Sequence, residues 1–316
     1  MTTKTIDSQG IPPGLRVVMR AVAAAGARLE RIIRQGGHAA PALEEIAGAG
    51  FRDALAGSGL RWLALAGQEP QALDPDGDLA LAIAPLDGLA DLDANGPLGS
   101  LFAIFPAANG AEASFQRPAR QMIAGGYMLY GPRCAMMVSF GDGVQHYALS
   151  PEGRFELLES RVAIPDCSFE FAIDAANYRH WPRPVRAYID DCLAGVDGPR
   201  QTQFTMRWTA SLVAEAHRTL IRGGVFLYPA DARKGHERGR LRLLHQCAPI
   251  AFLIEQAGGQ ASDACEPILD QRIAALDQPS PLVFGSAAKV ARVAVYHDLP
   301  EPEISALFGH RGLFRA

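Results

Sequence analysis

Leu79-Ala80-Leu81-Ala82-Ile83-Ala84-Pro85-Leu86-Asp87-Gly88 is an apolar run that ends in a proline, an acid and a glycine. Residues 79–83 predict a short buried strand, and Asp87-Gly88 has the chemistry of the turn that closes it. Upstream, residues 61–66 (Arg-Trp-Leu-Ala-Leu-Ala) predict a second buried strand, separated from the first by a loop rich in Pro, Asp and Gly over 69–78. Further upstream, Leu15, Val18, Met19, Val22, Leu29, Ile32 and Ile33 recur at three- and four-residue steps. That spacing predicts a helix with one buried face, closed by Gly36-Gly37, and residues 43–55 predict another. Downstream, residues 101–105, 127–129 and 135–140 predict strands, and the Gly141-Asp142-Gly143 turn before residues 146–149 predicts a hairpin.

Beyond about Asp166 helix and strand alternate. Helices are predicted over 184–193 and 211–222, a strand over 225–228 and a basic loop over 233–240. A helix over 249–256 is stopped by Gly258-Gly259, and a strand over 282–284 leads into a helix from Ala287. The expected organisation is an N-terminal α+β domain, residues 1–168, and a C-terminal α/β domain, residues 169–316. A net charge of −4, with no basic run in either half, excludes a generic nucleic-acid or anionic-membrane surface. Five scattered cysteines form no CxxC pair and no Cys/His ligand spacing, so neither a disulfide frame nor a zinc site is expected. No apolar run approaches the length of a membrane span, and the first residues lack a secretory apolar segment. A cytoplasmic protein is expected, with neither a membrane nor a nucleic-acid partner. No phosphate-binding Gly-Lys-Ser/Thr loop, Rossmann glycine fingerprint or Gly-x-Ser-x-Gly elbow is present.

Four stretches stand together in a distinctive order. The first is Pro85-Leu86-Asp87-Gly88, continuing through Asp91, Asp93, Gly99 and Phe102. The second is Gly126-Tyr127-Met128-Leu129-Tyr130-Gly131-Pro132. The third runs from Arg207 through Ser211-Leu212-Val213-Ala214 and His217-Arg218-Thr219-Leu220 to Gly223-Gly224-Val225-Phe226-Leu227-Tyr228-Pro229-Ala230. The fourth is Leu241-Arg242-Leu243-Leu244 with Pro249 and Glu255-Gln256-Ala257-Gly258-Gly259. In order and spacing they resemble the class I fructose-1,6-bisphosphatases over roughly residues 15–295. The resemblance implies a layered α/β/α/β/α subunit, a homotetramer, and Mg²⁺-dependent hydrolysis of the 1-phosphate of fructose 1,6-bisphosphate to fructose 6-phosphate. A phosphate monoester has one of the highest uncatalysed barriers known, and hard divalent ions held by carboxylates neutralise it and activate water.

Carried over residue by residue, the resemblance makes Asp87 a catalytic acid and metal ligand, with the Leu86 carbonyl beside it and Gly88 against the substrate. Ala84 stands where the family has its first metal-segment Asp, Leu89-Ala90 where it has Ser-Ser, and Gln246 where it has the later Glu. The earlier Glu pair falls on Gly67-Gln68 or, one place on, Gln68-Glu69. Glu69, given a catalytic role with Asp87, and Asp91 and Asp93 just beyond the turn are the acids that would rebuild a Mg²⁺ site, with Asp74, Asp76 and Asp78 also crowding the preceding loop. On the sugar-phosphate side, Arg207 matches an Arg supplied by the neighbouring subunit, Tyr228 matches a Tyr, and Arg240 takes a Lys position. Asp174 takes an Asn position, and Trp208 and Asn177 take two Tyr positions. Each missing carboxylate removes a full charge facing a divalent cation. Two functions therefore stand open. One is a fructose-1,6-bisphosphatase with a rebuilt metal site. The other is a family member that has lost hydrolysis and binds a sugar phosphate or an active partner.

Overall fold

The computed structural model describes residues 5–300. Eight strands form the first sheet: β1 (Leu60–Leu65), β2 (Gln71–Ala72), β3 (Leu79–Asp87), β4 (Leu98–Pro106), β5 (Ala124–Tyr130), β6 (Cys134–Ser139), β7 (Val144–Leu149) and β8 (Phe155–Val162). Their spatial order is β2-β1-β3-β4-β5-β6-β7-β8, with β1 and β3 parallel and the other neighbours antiparallel. The second sheet uses β9 (Glu170–Ala172), β10 (Thr205–Met206) and β11 (Val225–Tyr228). A two-strand ribbon pairs β12 (Leu241–Arg242) with β14 (Pro279–Ser280), and the second sheet is completed by β13 (Gln260–Ser262) and β15 (Leu282–Gly285) in the order β10-β9-β11-β15-β13. The helices are α1 (Arg16–Gln35), α2 (Ala40–Leu55), α3 (Ala111–Phe115), α4 (Arg183–Leu193), α5 (Leu212–Arg222), α6 (Ala248–Gln256) and α7 (Ala287–Asp298).

The side-chain period of two in β3 explains the layering. Leu79, Leu81 and Ile83 join a core with α1 and α2, while Ala80, Ala82 and Ala84 join a core with α5 and α6. That second core continues to the facing side of the other sheet through Ala172, Phe226, Ala261 and Phe284. Phe171, Val225, Leu227 and Val283 face the opposite way, onto α4 and α7. The result is five layers, α/β/α/β/α, with α5 and α6 buried between two sheets. The small alanines of β3 leave room for those helices, and the larger residues fill the outer layer. Among the described residues no helix is long and apolar enough to cross a membrane.

Most predicted elements are present with shifted ends. Helix α2 starts three residues before the expected position, because Pro41 sits in its first turn, where its missing N–H costs nothing. Strand β3 extends past Pro85 to Asp87. The β3–β4 register slips between Ala84 and Asp87, and the freed Pro85 carbonyl accepts the Ser100 hydroxyl at 2.6 Å. Strands β8, β9 and β13 have no counterpart among the expected elements. Strand β8 is a charged edge strand whose Leu158 is exposed, so it lacks the alternation of a half-buried strand.

Candidate active site

Asp87 ends β3 at the point where the register slips. Gly88 follows at φ +86°, and a Cβ there would lie 2.9 Å from the Pro97 carbonyl oxygen, so the turn requires glycine. Across from it, Gly99 on β4 lets α5 approach: a Cβ at Gly99 would meet Val213 Cγ2 at 2.6 Å. This close packing brings the first turn of α5, capped by the Ser211 hydroxyl on the Ala214 N–H, against the Asp87 carboxylate. Burial raises the Asp87 carboxyl above the usual carboxylate range. The Gln246 amide and the backbone N–H groups of Val213 and Leu212 pull it back.

Gln246 lies in a π-turn, Leu243–Cys247, that leads into α6. Its Oε1 accepts the Arg242 N–H at 2.9 Å, which fixes the polarity of the amide and directs Nε2 to Asp87 Oδ1 at 2.7 Å. A glutamate at this position would set a second negative charge against Asp87 and call for a cation between them; the glutamine closes the gap by itself. The other expected position behaves alike. Gln68 Oε1 accepts from Arg52 Nη2 at 2.9 Å, and Arg52 Nε donates to Gln71 at 2.9 Å, so α2 grips the loop after β1. Neither contact is visible as a motif in sequence, since Arg52 lies 16 residues from Gln68 and Gln246 lies 159 from Asp87.

Leu86 and Gly88 share the Asp87 turn, whereas the other expected metal-site acids do not converge on it. Asp91 ends a short 3-10 turn, Leu89–Asp91, and its carbonyl accepts the Gly96 N–H. Asp93 is exposed. Glu69 lines a different hollow with Glu112, Gln116 and Asp277. Ala84, at the first carboxylate position, is 5% exposed and packed in the core. Among the described residues no group of three or more His, Cys, Asp or Glu side chains is placed to hold a metal ion. One carboxylate already bonded to an amide does not fit Mg²⁺, which asks for several hard oxygens and keeps its charge balance through them.

Four of the residues expected on the sugar-phosphate side lie together. Tyr228, Arg240, Asp174 and Asn177 line one cleft at the end of β11, with Trp181, Asp231, Arg233 and His236. The Tyr228 ring is held by stacking: Trp208 lies parallel to Phe226 and Tyr228 at 5.8 and 6.4 Å. Asp174 caps the short turn Ala175–His180. Its oxygens accept from the Ala176 N–H at 3.2 Å and the Asn177 amide at 2.6 Å, so its charge is engaged by donors on its own turn. Arg207 lies outside this cleft, just past the exposed edge strand β10, 3.5 Å from Glu170. Glu170 also pairs with Arg218 at 2.7 Å, and Arg218 pairs with the fully buried Glu215, which accepts the Thr209 N–H. Segment 207–211 is thereby tied to the helix that abuts Asp87. His217, on α5, takes a packing position: its Nδ1 meets the Tyr127 hydroxyl at 3.1 Å, and burial together with His146 lowers its pKa to about 4.

Known proteins share the sequence and the fold. The family description fructose-1-6-bisphosphatase, N-terminal domain, matches residues 37–160, and its C-terminal domain matches residues 164–298. A class 1 fructose-1,6-bisphosphatase of Paracoccus denitrificans is 62% identical over 100% of both chains. A second class 1 form from Cereibacter sphaeroides is 50% identical over 98% of this chain and 99% of its own. The holo form of the Leishmania major fructose-1,6-bisphosphatase superimposes with a TM-score of 0.86 at 29% identity, covering 92% of this chain and 97% of that one. Both domains, in order, over nearly the whole length, make this chain a member of the fructose-1,6-bisphosphatase family.

Proposed function

We propose that this chain acts on fructose 1,6-bisphosphate. It holds the 6-phosphate in the Tyr228–Arg240 cleft and releases the 1-phosphate at the Asp87 turn to leave fructose 6-phosphate. The observation that carries this reading is the convergence of Tyr228, Arg240, Asp174 and Asn177 on one cleft. A guanidinium and a phenol are the donors a sugar phosphate needs. Asp87 is the acid at its turn that can take a proton from an attacking water, and burial raises its basicity. Turnover is slow, because the turn presents a single carboxylate. A cytoplasmic homotetramer belongs to the same reading: Arg207 stands on an exposed edge where it can serve a neighbouring copy, and all five cysteines are free.

One observation favours a second reading, in which the sugar phosphate is bound and not hydrolysed. The Gln246–Asp87 hydrogen bond occupies the carboxylate that hydrolysis would use. The two readings separate in one experiment. The protein is purified from a host lacking its own fructose-1,6-bisphosphatase, and phosphate release from fructose 1,6-bisphosphate is followed with Mg²⁺ and Mn²⁺ titrated. Fructose 6-phosphate binding is measured by calorimetry. Turnover abolished by Asp87→Asn supports the phosphatase. Fructose 6-phosphate binding without turnover supports the second reading, and the absence of both sinks each of them.

A further inference from the structure

The loop between β11 and β12 carries five basic residues, Arg233, Lys234, His236, Arg238 and Arg240. The fold sorts them. Lys234 and Arg238 are exposed, whereas Arg233 and His236 are half-buried and line the cleft that holds Tyr228 and Arg240. The residue that turns Arg233 inward is Asp231, which is 9% exposed. Its carboxylate accepts the Arg233 backbone N–H at 2.9 Å, Nε at 3.0 and 3.1 Å, and Nη2 at 2.5 Å. His236 Nδ1 lies 3.4 Å from the same carboxylate. These bonds, Arg233 above all, hold Asp231 well below the usual carboxylate range, so it stays charged.

A carboxylate that grips a guanidinium along its Nε–Nη2 edge fixes the plane of the group and leaves the outer edge free. Among the described residues Nη1 of Arg233 has no hydrogen-bond partner. The loop itself is pinned: the His236 N–H bonds the Arg233 carbonyl at 2.9 Å, and the Ala232 N–H bonds the His180 carbonyl at 3.1 Å. Gly239, at φ +80°, lies so close to β14 that a Cβ would meet the Ser280 carbonyl carbon at 2.3 Å. An arginine held this firmly, lining the cleft of Tyr228 and Arg240 beside Asp174 with Nη1 unengaged, is preorganised for a ligand.

We propose that Arg233, aimed by Asp231, is a second guanidinium for the phosphate of the sugar, acting with Arg240 and Tyr228. Asp231 is the positioning residue of the pair. This rests on the reading of the cleft as a sugar-phosphate site, and it adds a ligand that the resemblance did not supply.

Calorimetric titration of the full chain with fructose 6-phosphate, and with fructose as the phosphate-free control, tests it. Arg233→Ala weakens fructose 6-phosphate binding by about 10- to 100-fold, the range for hydrogen bonds to a charged group. Arg233→Lys recovers part of the loss, and the salt dependence of binding falls in Arg233→Ala. Asp231→Asn weakens binding and also lowers the melting temperature, because a carboxylate held below its ordinary range stabilises the fold at neutral pH, so its affinity is read at a temperature where the variant is folded. Should Arg233→Ala fail to fold, Arg233→Lys and Arg233→Gln carry the same test, since both keep a donor for Asp231. Unchanged affinity in the Arg233 variants, with Arg240→Ala weakened, overturns the inference and leaves the cleft reading standing. No fructose 6-phosphate binding by the unmodified chain removes the cleft reading, and the inference with it.

Discussion

The Asp87 turn and the Tyr228–Arg240 cleft differ in what surrounds their charged groups. At the turn, Asp87 is bonded by the Gln246 amide, while Gln68 bonds Arg52 elsewhere and Ala84 is sunk in the core. At the cleft, Arg233, His236 and Arg240 stand with Tyr228 beside the carboxylates of Asp174 and Asp231. A cation site depends on the number of carboxylates converging on a point, so losing two or three of them disables it. An anion site depends on a few oriented donors and tolerates the exchange of one cation for another.

The largest break in this comparison comes from refilling the turn. The triple variant Ala84→Asp, Gln68→Glu, Gln246→Glu restores carboxylates at the three positions where the resemblance expects them, of which position 246 touches Asp87. Its phosphate release from fructose 1,6-bisphosphate should become Mg²⁺-dependent and rise by about 1000-fold, within the several kcal/mol that metal charge stabilisation supplies. Without Mg²⁺ its melting temperature should fall, because like charges then crowd a buried turn. A triple variant with no metal response would place the deficit elsewhere.

A second difference lies beside Gln246. His245 points away from Asp87 toward the Ala64 carbonyl, and burial lowers its pKa to about 4. Above pH 6.5 it is neutral in both folded and unfolded chains. As pH falls from 6.5 to 4 the unfolded chain takes up the proton first, so stability is lost through that window, by roughly 3 kcal/mol. Denaturant titrations at pH 7 and 4.5 should show His245→Gln losing less stability on acidification than the unmodified chain. An equal loss in both would put the acid-sensitive group elsewhere.

At the cleft, Arg240→Ala should weaken fructose 6-phosphate binding about tenfold, with the melting temperature unchanged, because the side chain is exposed. Asp87→Asn keeps one oxygen for the α5 amides but sets its own amide donor against Gln246 Nε2, so it should cost about 1–3 kcal/mol at pH 7. The raised Asp87 pKa means that the folded chain binds this proton more readily than the unfolded chain. Its contribution is therefore fully present below the unfolded value and fades as pH rises through the folded one. Asp87→Asn should remove that slope, as followed by chemical denaturation from pH 3.5 upward.

The fold was legible because its signals are local and redundant. Leu79 to Ile83, the periodic face of α1 and the Gly258-Gly259 stop each declare an element within a few residues. Strand β8 escaped because an edge strand carries charges in place of an alternating face. The cleft was legible in part: Tyr228, Arg240, Asp174 and Asn177 were placed by their resemblance to the family's positions, and the fold brings them together. The contacts of Gln246, Arg52 and Asp231 were not legible. A hydrogen bond between residues 159 apart leaves no periodicity, and an Asp two places before an Arg reads as ordinary loop chemistry until the backbone turns them face to face.

The stacked rings of Trp208, Phe226 and Tyr228 also have an optical meaning. The chain has three tryptophans. Trp208 lies on Tyr228, and Trp181 lines the same cleft. Trp62 sits in the first sheet, its indole N–H bonded to the Ala108 carbonyl at 3.0 Å. One of the three emitters therefore lines the cleft, another stacks with its tyrosine, and the third lies apart in the first sheet. Occupancy of the cleft can be read from the protein's own ultraviolet emission, without a label, and a Trp208→Phe chain shows which part of that light belongs to the stack.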